Sequence, residues 1–137
     1  TKHFFVNTGS PHFVRFVNNA KKVDVLNEGR KIRNSKTFKE KGVNVNFVEK
    51  KGDYIFVRTY ERGVEDETLS CGTGVTASAL AAVIKRICTK TEHCKIKTLG
   101  GELKVNFKRQ KGNSFSDIWL EGKAMFVFKG EIEICKK

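Results

Sequence analysis

The residues Cys71-Gly72-Thr73-Gly74 open a run from Thr73 to Ile87 that contains Val75, Ala77, Ala79, Leu80, Ala81, Ala82, Val83 and Ile84. Small and apolar residues fall on every face of that run, which is the pattern of a buried helix. Charge enters only at Lys85 and Arg86, where it complements the negative end of the helix dipole. A helix start presents unpaired N–H groups and partial positive charge. Gly72 and Gly74 keep the approach to those amides free of side chains, so a carboxylate could dock there. A cysteine in that position is favoured as thiolate. An anion cradle beside an activated thiol is the equipment for removing a proton next to a carboxylate. The alternative is that Cys71 packs in the core and the glycines serve only helix entry.

Three other segments carry polar groups suited to a small charged ligand. Glu61-Arg62 follow the strongly β-forming Tyr54-Ile55-Phe56-Val57 and lead into a loop. An adjacent Glu and Arg can hold the ammonium and carboxylate of an amino acid, Arg in bidentate fashion. They could equally be a surface ion pair. Asn44 and Asn46 share one face of a strand in Val43-Asn44-Val45-Asn46-Phe47-Val48. Asn is disfavoured in strands, so the pair suggests a polar pocket lining, with a solvent-facing strand as the alternative. In Asn7-Thr8-Gly9-Ser10-Pro11-His12 a tight loop brings His12 to a position where it could assist proton transfer or orient a carboxylate.

Hydrophobic alternation and turn residues place strands at 3–7, 12–18, 43–49, 53–60, 94–98, 102–109, 115–121 and 124–134. A first helix is expected over 24–36, with Asp24 at its start and Gly29 inside it. The last forty residues read as an antiparallel meander. The fold class is therefore α+β: a mixed, largely antiparallel sheet wrapped around the buried helix that begins at Cys71, in a single domain over 1–137.

The chain has 137 residues, 11 of them Phe, and carries a formal net charge of +12. Such charge could serve a nucleic acid, a membrane surface or an acidic small molecule. The lysines are spread out and alternate with apolar residues, as in Leu103-Lys104-Val105-Asn106-Phe107-Lys108, which marks the outer face of a half-buried strand. No nucleic-acid recognition motif accompanies them, and a solvated basic surface is expected. No apolar run reaches the length of a membrane span and no signal peptide is visible. The opening at Thr1 rather than Met suggests a mature product or an excised piece of something longer. Cysteines at 71, 88, 94 and 135 form no C-x-x-C pair. His93 and Cys94, being adjacent, make poor ligands for one tetrahedral ion, so no metal is expected. Free thiols in a reducing cytoplasm follow as the default.

Together these segments resemble the diaminopimelate epimerases. The matching pieces are Gly9-Ser10-Pro11-His12, Gly42-Val43-Asn44-Val45-Asn46-Phe47, Arg58-Thr59-Tyr60-Glu61-Arg62-Gly63 and Glu67-Thr68-Leu69-Ser70-Cys71-Gly72-Thr73-Gly74, with Trp119-Leu120-Glu121-Gly122 and Phe126-Val127-Phe128-Lys129-Gly130 near the end. The resemblance implies an isomerase of lysine and peptidoglycan precursor synthesis that converts LL- to meso-diaminopimelate without pyridoxal phosphate, metal or other cofactor. One cysteine thiolate removes the α-proton while a second cysteine delivers a proton to the opposite face. By position, Cys71 is one acid/base, and Gly72 and Thr73 bind the reacting carboxylate through their amides. Asn44 and Arg62 grip the distal end of the substrate, Glu61 contacts an amino group, and His12 supports catalysis. Ser10 takes a substrate-contact position where the family often has Asn.

The resemblance also implies two pseudo-symmetric halves, each with a cysteine at the start of a central helix, and this chain matches only the second. Cys88, Cys94 and Cys135 have no glycine-rich helix start around them. The expectation is that the chain alone does not complete epimerisation, that the surface facing the missing N-terminal half-domain drives self-association, and that residues near 126–137 are poorly placed without it. A racemase or isomerase of the same fold with another substrate is one alternative, and a basic nucleic-acid-binding module is another.

Overall fold

A computed structural model describes residues 3–90 and 92–134. The elements are β1 (His3–Asn7), β2 (Pro11–Phe16), a 3-10 turn (Ala20–Lys22), α1 (Val25–Arg33), β3 (Asn44–Lys51), β4 (Tyr54–Glu61), β5 (Asp66–Thr68), α2 (Gly72–Ile84), β6 (His93–Thr98), β7 (Gly101–Arg109) and β8 (Phe115–Gly122). The strands form one sheet in the order β1-β2-β3-β4-β6-β7-β8, with β5 paired to β4. Two junctions, β2 with β3 and β4 with β6, are parallel. The other five are antiparallel, as the sequence led one to expect.

The two parallel junctions are the two places where a helix carries the chain across. Helix α1 lies between β2 and β3, and α2 between β4 and β6. They cover opposite faces of the sheet. Helix α2 packs against β1, β2, β3, β4, β6 and β7, so the sheet curls around it. Its Val75, Ala77, Ala79, Leu80, Ala81, Ala82 and Val83 are buried with Val14, Val48, Ile55, Val57, Ile96, Val105 and Phe107. Alanines let the strands approach on all sides, while each fully buried Val or Leu contributes about 1.5–3 kcal/mol. Helix α1 closes a second core on the other face, where Val25 meets Val43, Val45, Phe47 and Tyr60. Strand β3 is sandwiched between the two helices, and its residues Asn44 to Glu49 are all buried. Val45 and Phe47 point to α1, and the alternate positions Asn44, Asn46 and Val48 fall on the α2 face.

Three sequence expectations are corrected, and one strand was not foreseen. The strand expected over 124–134 does not form, and Met125, Phe126, Val127 and Phe128 are about four-fifths exposed. Alternation records a face to be buried, and no described residue covers that face. Cys135 lies outside the described residues. The helix expected to reach Ile87 ends at Ile84 in a Schellman motif. Arg86 takes the left-handed conformation (φ 60°), its N–H donates to Val83 O, and Ile87 N–H donates to Ala82 O. Arg instead of Gly at that position hid the stop signal. Helix α1 is shorter than 24–36, with Asp24 capping its start by accepting from Asn27 N–H. Strand β5, three residues inside an acidic loop, has no hydrophobic alternation to announce it.

The lysine rows on β6 and β7 are interleaved with acids: Lys95 with Asp53, Lys97 with Glu102, Lys104 with Glu121 and Lys108 with Asp117. No helix among the described residues is long and apolar enough to cross a membrane.

Candidate active site

Cys71 is the N-cap of α2, in extended conformation (φ −127°, ψ 110°), and it makes no side-chain capping bond. The first intrahelical bond runs from Val75 N–H to Cys71 O at 2.8 Å. The amides of Gly72, Thr73 and Gly74 therefore find no acceptor among the described residues, and they form the orphan donors of a helix start. Gly72 is exposed and Thr73 half-buried, so this row is open from one side. Cys71 itself is only 9 % exposed, held at the floor of the opening.

The loop between β1 and β2 meets that helix start from the side. Thr8 Oγ1 donates to Thr73 O at 2.9 Å. His12, completely buried on β2, places Nε2 3.0 Å from Thr73 Oγ1 and 3.3 Å from Ser10 Oγ. Thr73 Oγ1 lies in turn 3.5 Å from Cys71 Sγ. The other ring nitrogen of His12 is 3.1 Å from Asn46 Nδ2. Burial, and secondarily the Arg62 guanidinium, push the His12 imidazole down from its ordinary range to about 4, so the ring is neutral at physiological pH.

Parallel pairing of β2 with β3 sets His12 opposite Asn44, and Asn44 links the remaining groups. Its Nδ2 donates to Ser10 Oγ at 2.7 Å and to Pro11 O at 3.1 Å, while its Oδ1 accepts Arg62 N–H at 2.8 Å. The Arg62 guanidinium is exposed and donates to Lys41 O at 2.7 Å. A cleft of ≈ 830 Å³ lined by Phe5, Pro11, Phe38, Gly42 and Arg62, among others, adjoins it. Glu61 ends β4, half-buried, with no side-chain hydrogen bond or ion pair among the described residues. The bidentate pair of Arg58 with Glu67, 2.6 Å at both contacts, ties β4 to β5 just before the cysteine loop. Arg58 also donates to Ala20 O and Val23 O.

Cys71, Thr73, His12, Ser10, Asn44 and Arg62 thus form one connected polar set, with Gly72 beside them and Glu61 next in sequence to Arg62. Asn44 and Asn46 are buried and bonded, not solvent-facing. Sequence reasoning left out Thr8 and Thr59, whose hydroxyls join the set without any motif to mark them. Cys88 and Cys94 belong to the opposite end of α2, where the Cys88 thiol donates to His93 O at 3.4 Å and the Cys94 thiol to Lys95 O at 3.8 Å. The neighbouring Cys94 and Lys90 lower the Cys88 thiol to about 7, and the neighbouring Cys88, with burial, raises Cys94. No cluster of three or more His, Cys, Asp or Glu among the described residues could hold a metal ion.

A mixed sheet curled about a central helix is the fold class of the solved phenazine biosynthesis proteins of the PhzF family. The solved structures from Enterococcus faecalis and Bacillus anthracis superpose with TM-scores of 0.55 and 0.56. They are 16 % and 17 % identical over 74 % and 82 % of this chain, and 35 % and 36 % of theirs. Within that class, residues 4–127 match the diaminopimelate epimerase family, to which this chain belongs. The diaminopimelate epimerases of Flavobacterium psychrophilum and Chlorobaculum tepidum are 48 % and 43 % identical to it over 95 % of its length. That of Aquifex aeolicus is 44 % identical over 93 %. The chain spans 50 %, 49 % and 45 % of these relatives, about half of each.

Proposed function

We propose that this chain is the Cys71-bearing half of a cofactor-independent diaminopimelate epimerase, and that an N-terminal half outside residues 1–137 supplies the opposing cysteine. The observation that carries this reading is the join of Cys71 to three orphan amides at the start of α2, beside a set of polar side chains that includes Arg62. The α-carboxylate of the substrate sits on the amides of Gly72 and Thr73, and this fixes the Cα–H bond against Cys71 Sγ. A thiolate on one face takes the α-proton, and the electron pair left on Cα is delocalised into the carboxylate. Charge building there is met by the helix-start amides, which are already oriented. A thiol on the other face returns a proton to Cα and becomes the thiolate. Cys71 performs one of these two roles, according to the direction of reaction.

At the distal end Arg62 offers a guanidinium for the second carboxylate, backed by Asn44, and Glu61 offers a carboxylate for an ammonium. His12, Ser10 and Thr73 hold the groups around the cysteine in place. The reading needs no cofactor. It implies a cytoplasmic setting, where Cys71 stays reduced. It also implies that the chain alone is incomplete, in keeping with the length of its relatives.

The test is exchange of the α-proton of diaminopimelate in D₂O. The chain alone and its Cys71→Ala variant are expected to be silent, and addition of the separately produced N-terminal half should restore exchange to the unmodified chain only. Silence from a folded, assembled mixture would sink the epimerase reading.

A further inference from the structure

The hydrogen bonds behind Cys71 have a direction, set by residues that touch no substrate. Asn46 Nδ2 lies 3.3 Å from the carbonyl of Phe13, which can only accept. Asn46 Oδ1 accepts the Thr59 hydroxyl at 3.0 Å. The Phe13 carbonyl requires this orientation of the amide and the Thr59 hydroxyl, free to donate, completes it, so the group facing His12 Nδ1 is the NH₂. A nitrogen that accepts cannot carry the proton, and the neutral ring must hold it on Nε2. Nε2–H then donates to Thr73 Oγ1 at 3.0 Å, which leaves the Thr73 hydroxyl proton to point at Cys71 Sγ at 3.5 Å.

We propose that Asn46 and Thr59 are positioning residues that lock His12 in its Nε2–H tautomer, and that this lock turns the Thr73 hydroxyl into a donor to the sulfur of Cys71. Every proton in the row Thr59, Asn46, His12, Thr73 is aimed one step closer to Cys71, so the row favours the thiolate. The reversed row would aim a Thr73 lone pair at the sulfur and favour the thiol. A second proton on His12 would put Nδ1–H against the Asn46 NH₂, a donor facing a donor. The groups facing the ring from the neighbouring elements are Ser10 and Thr73 at Nε2 and Asn46 at Nδ1, and the Arg62 guanidinium is the charge that acts on it. None is an acid that could hold an imidazolium. Gly74 leaves the space that this arrangement needs. The proposal rests on the epimerase reading only for its consequence in catalysis, since the tautomer and the thiol's reactivity are properties of the chain itself.

The experiment is ¹⁵N NMR of the His12 ring in the full chain, with the rate of Cys71 alkylation by iodoacetamide at neutral pH read by peptide mass mapping. The expected result is a single Nε2–H tautomer that does not titrate between pH 6 and 8. Asn46→Asp, which offers Nδ1 an acceptor, should make His12 titrate above its ordinary value. Thr59→Val, nearly isosteric, should release the amide and give a mixture of tautomers. Thr73→Val should slow alkylation of Cys71 by roughly tenfold, whereas Thr73→Ser should restore most of the rate. A Nδ1–H tautomer in the unmodified chain, or a His12 that titrates near neutrality, would overturn the proposal even if every variant failed to fold. Proton-exchange assays do not enter these readouts, so a failed epimerase reading and a failed lock would be told apart.

Discussion

Gly74 lies so close to Asn46 that a Cβ at residue 74 would stand 2.5 Å from Asn46 Oδ1, and 3.3 Å from His12 Cε1. Inside a helix, Gly→Ala ordinarily stabilises by about 1 kcal/mol. Here Asn46 Oδ1 is pinned by Thr59, so the methyl group must displace a bonded amide in a buried layer. Overpacking of that kind costs about 1–3 kcal/mol. The expected outcome for Gly74→Ala is therefore a lower urea midpoint with an unchanged slope, together with slower alkylation of Cys71.

The same reasoning reverses the usual sign at Gly29. A Cβ there would overlap Cβ and Cγ of Tyr60, which is fully buried and anchored through its hydroxyl to Glu65. Helix α1 would have to lift off the sheet. Gly29→Ala should lower stability by about 2–4 kcal/mol, where an exposed helical glycine would gain. Thermal unfolding followed by circular dichroism checks the sign directly.

These two glycines mark what the sequence did and did not reveal. The apolar run from Thr73 to Ile87 was legible because burial on every face leaves a compositional trace, and so were the strands of β3, β4, β7 and β8, each bounded by turn residues. Cys71, His12, Asn44 and Arg62 were legible as a set only because several short motifs occur in order. The links between them were not. Thr59 reaches Asn46 across an antiparallel register, and Thr8 reaches Thr73 over 65 positions. Pairings of that range depend on how the sheet curls, and no local pattern encodes it. Gly29, which weakened the case for a helix on propensity, is required by Tyr60 on a strand thirty residues away.

His12 gives stability a pH dependence with a definite sign. Its folded value of about 4 lies below the ordinary 6.5, so between these limits the unfolded chain binds a proton that the folded chain refuses. Stability is complete above about pH 6.5 and declines as pH falls toward 4. The size is of order 3 kcal/mol. Paired carboxylates such as Glu49 and Glu65, held low by hydrogen bonds, lose their own contribution at the acid end of the same range. The clean measurement is the difference between the unmodified chain and His12→Asn in chemical denaturation from pH 4 to 7.5. That difference should shrink steadily below pH 6.5, and a flat difference would show that His12 is not held neutral.

Beyond β8 the chain presents Met125, Phe126, Val127, Phe128, Ile132 and Ile134, each about four-fifths exposed, and Trp119 on β8 is 71 % exposed. Single exposed apolar residues are ordinary, but a contiguous run of this size is the mark of a surface meant to be covered. The chain spans half the length of the Flavobacterium psychrophilum relative, and on the proposed reading the N-terminal half is the cover. Without it, the cheapest way to bury these side chains is against another copy. The chain alone should therefore form concentration-dependent oligomers in sedimentation velocity. Replacing Phe126 and Phe128 together with Ser should shift it toward monomer, with little change in unfolding midpoint because neither ring packs on the core. The same double variant should bind the separately produced N-terminal half less tightly than the unmodified chain does. Monomer at every concentration from the unmodified chain would instead mean that this run is covered by the protein's own residues in solution.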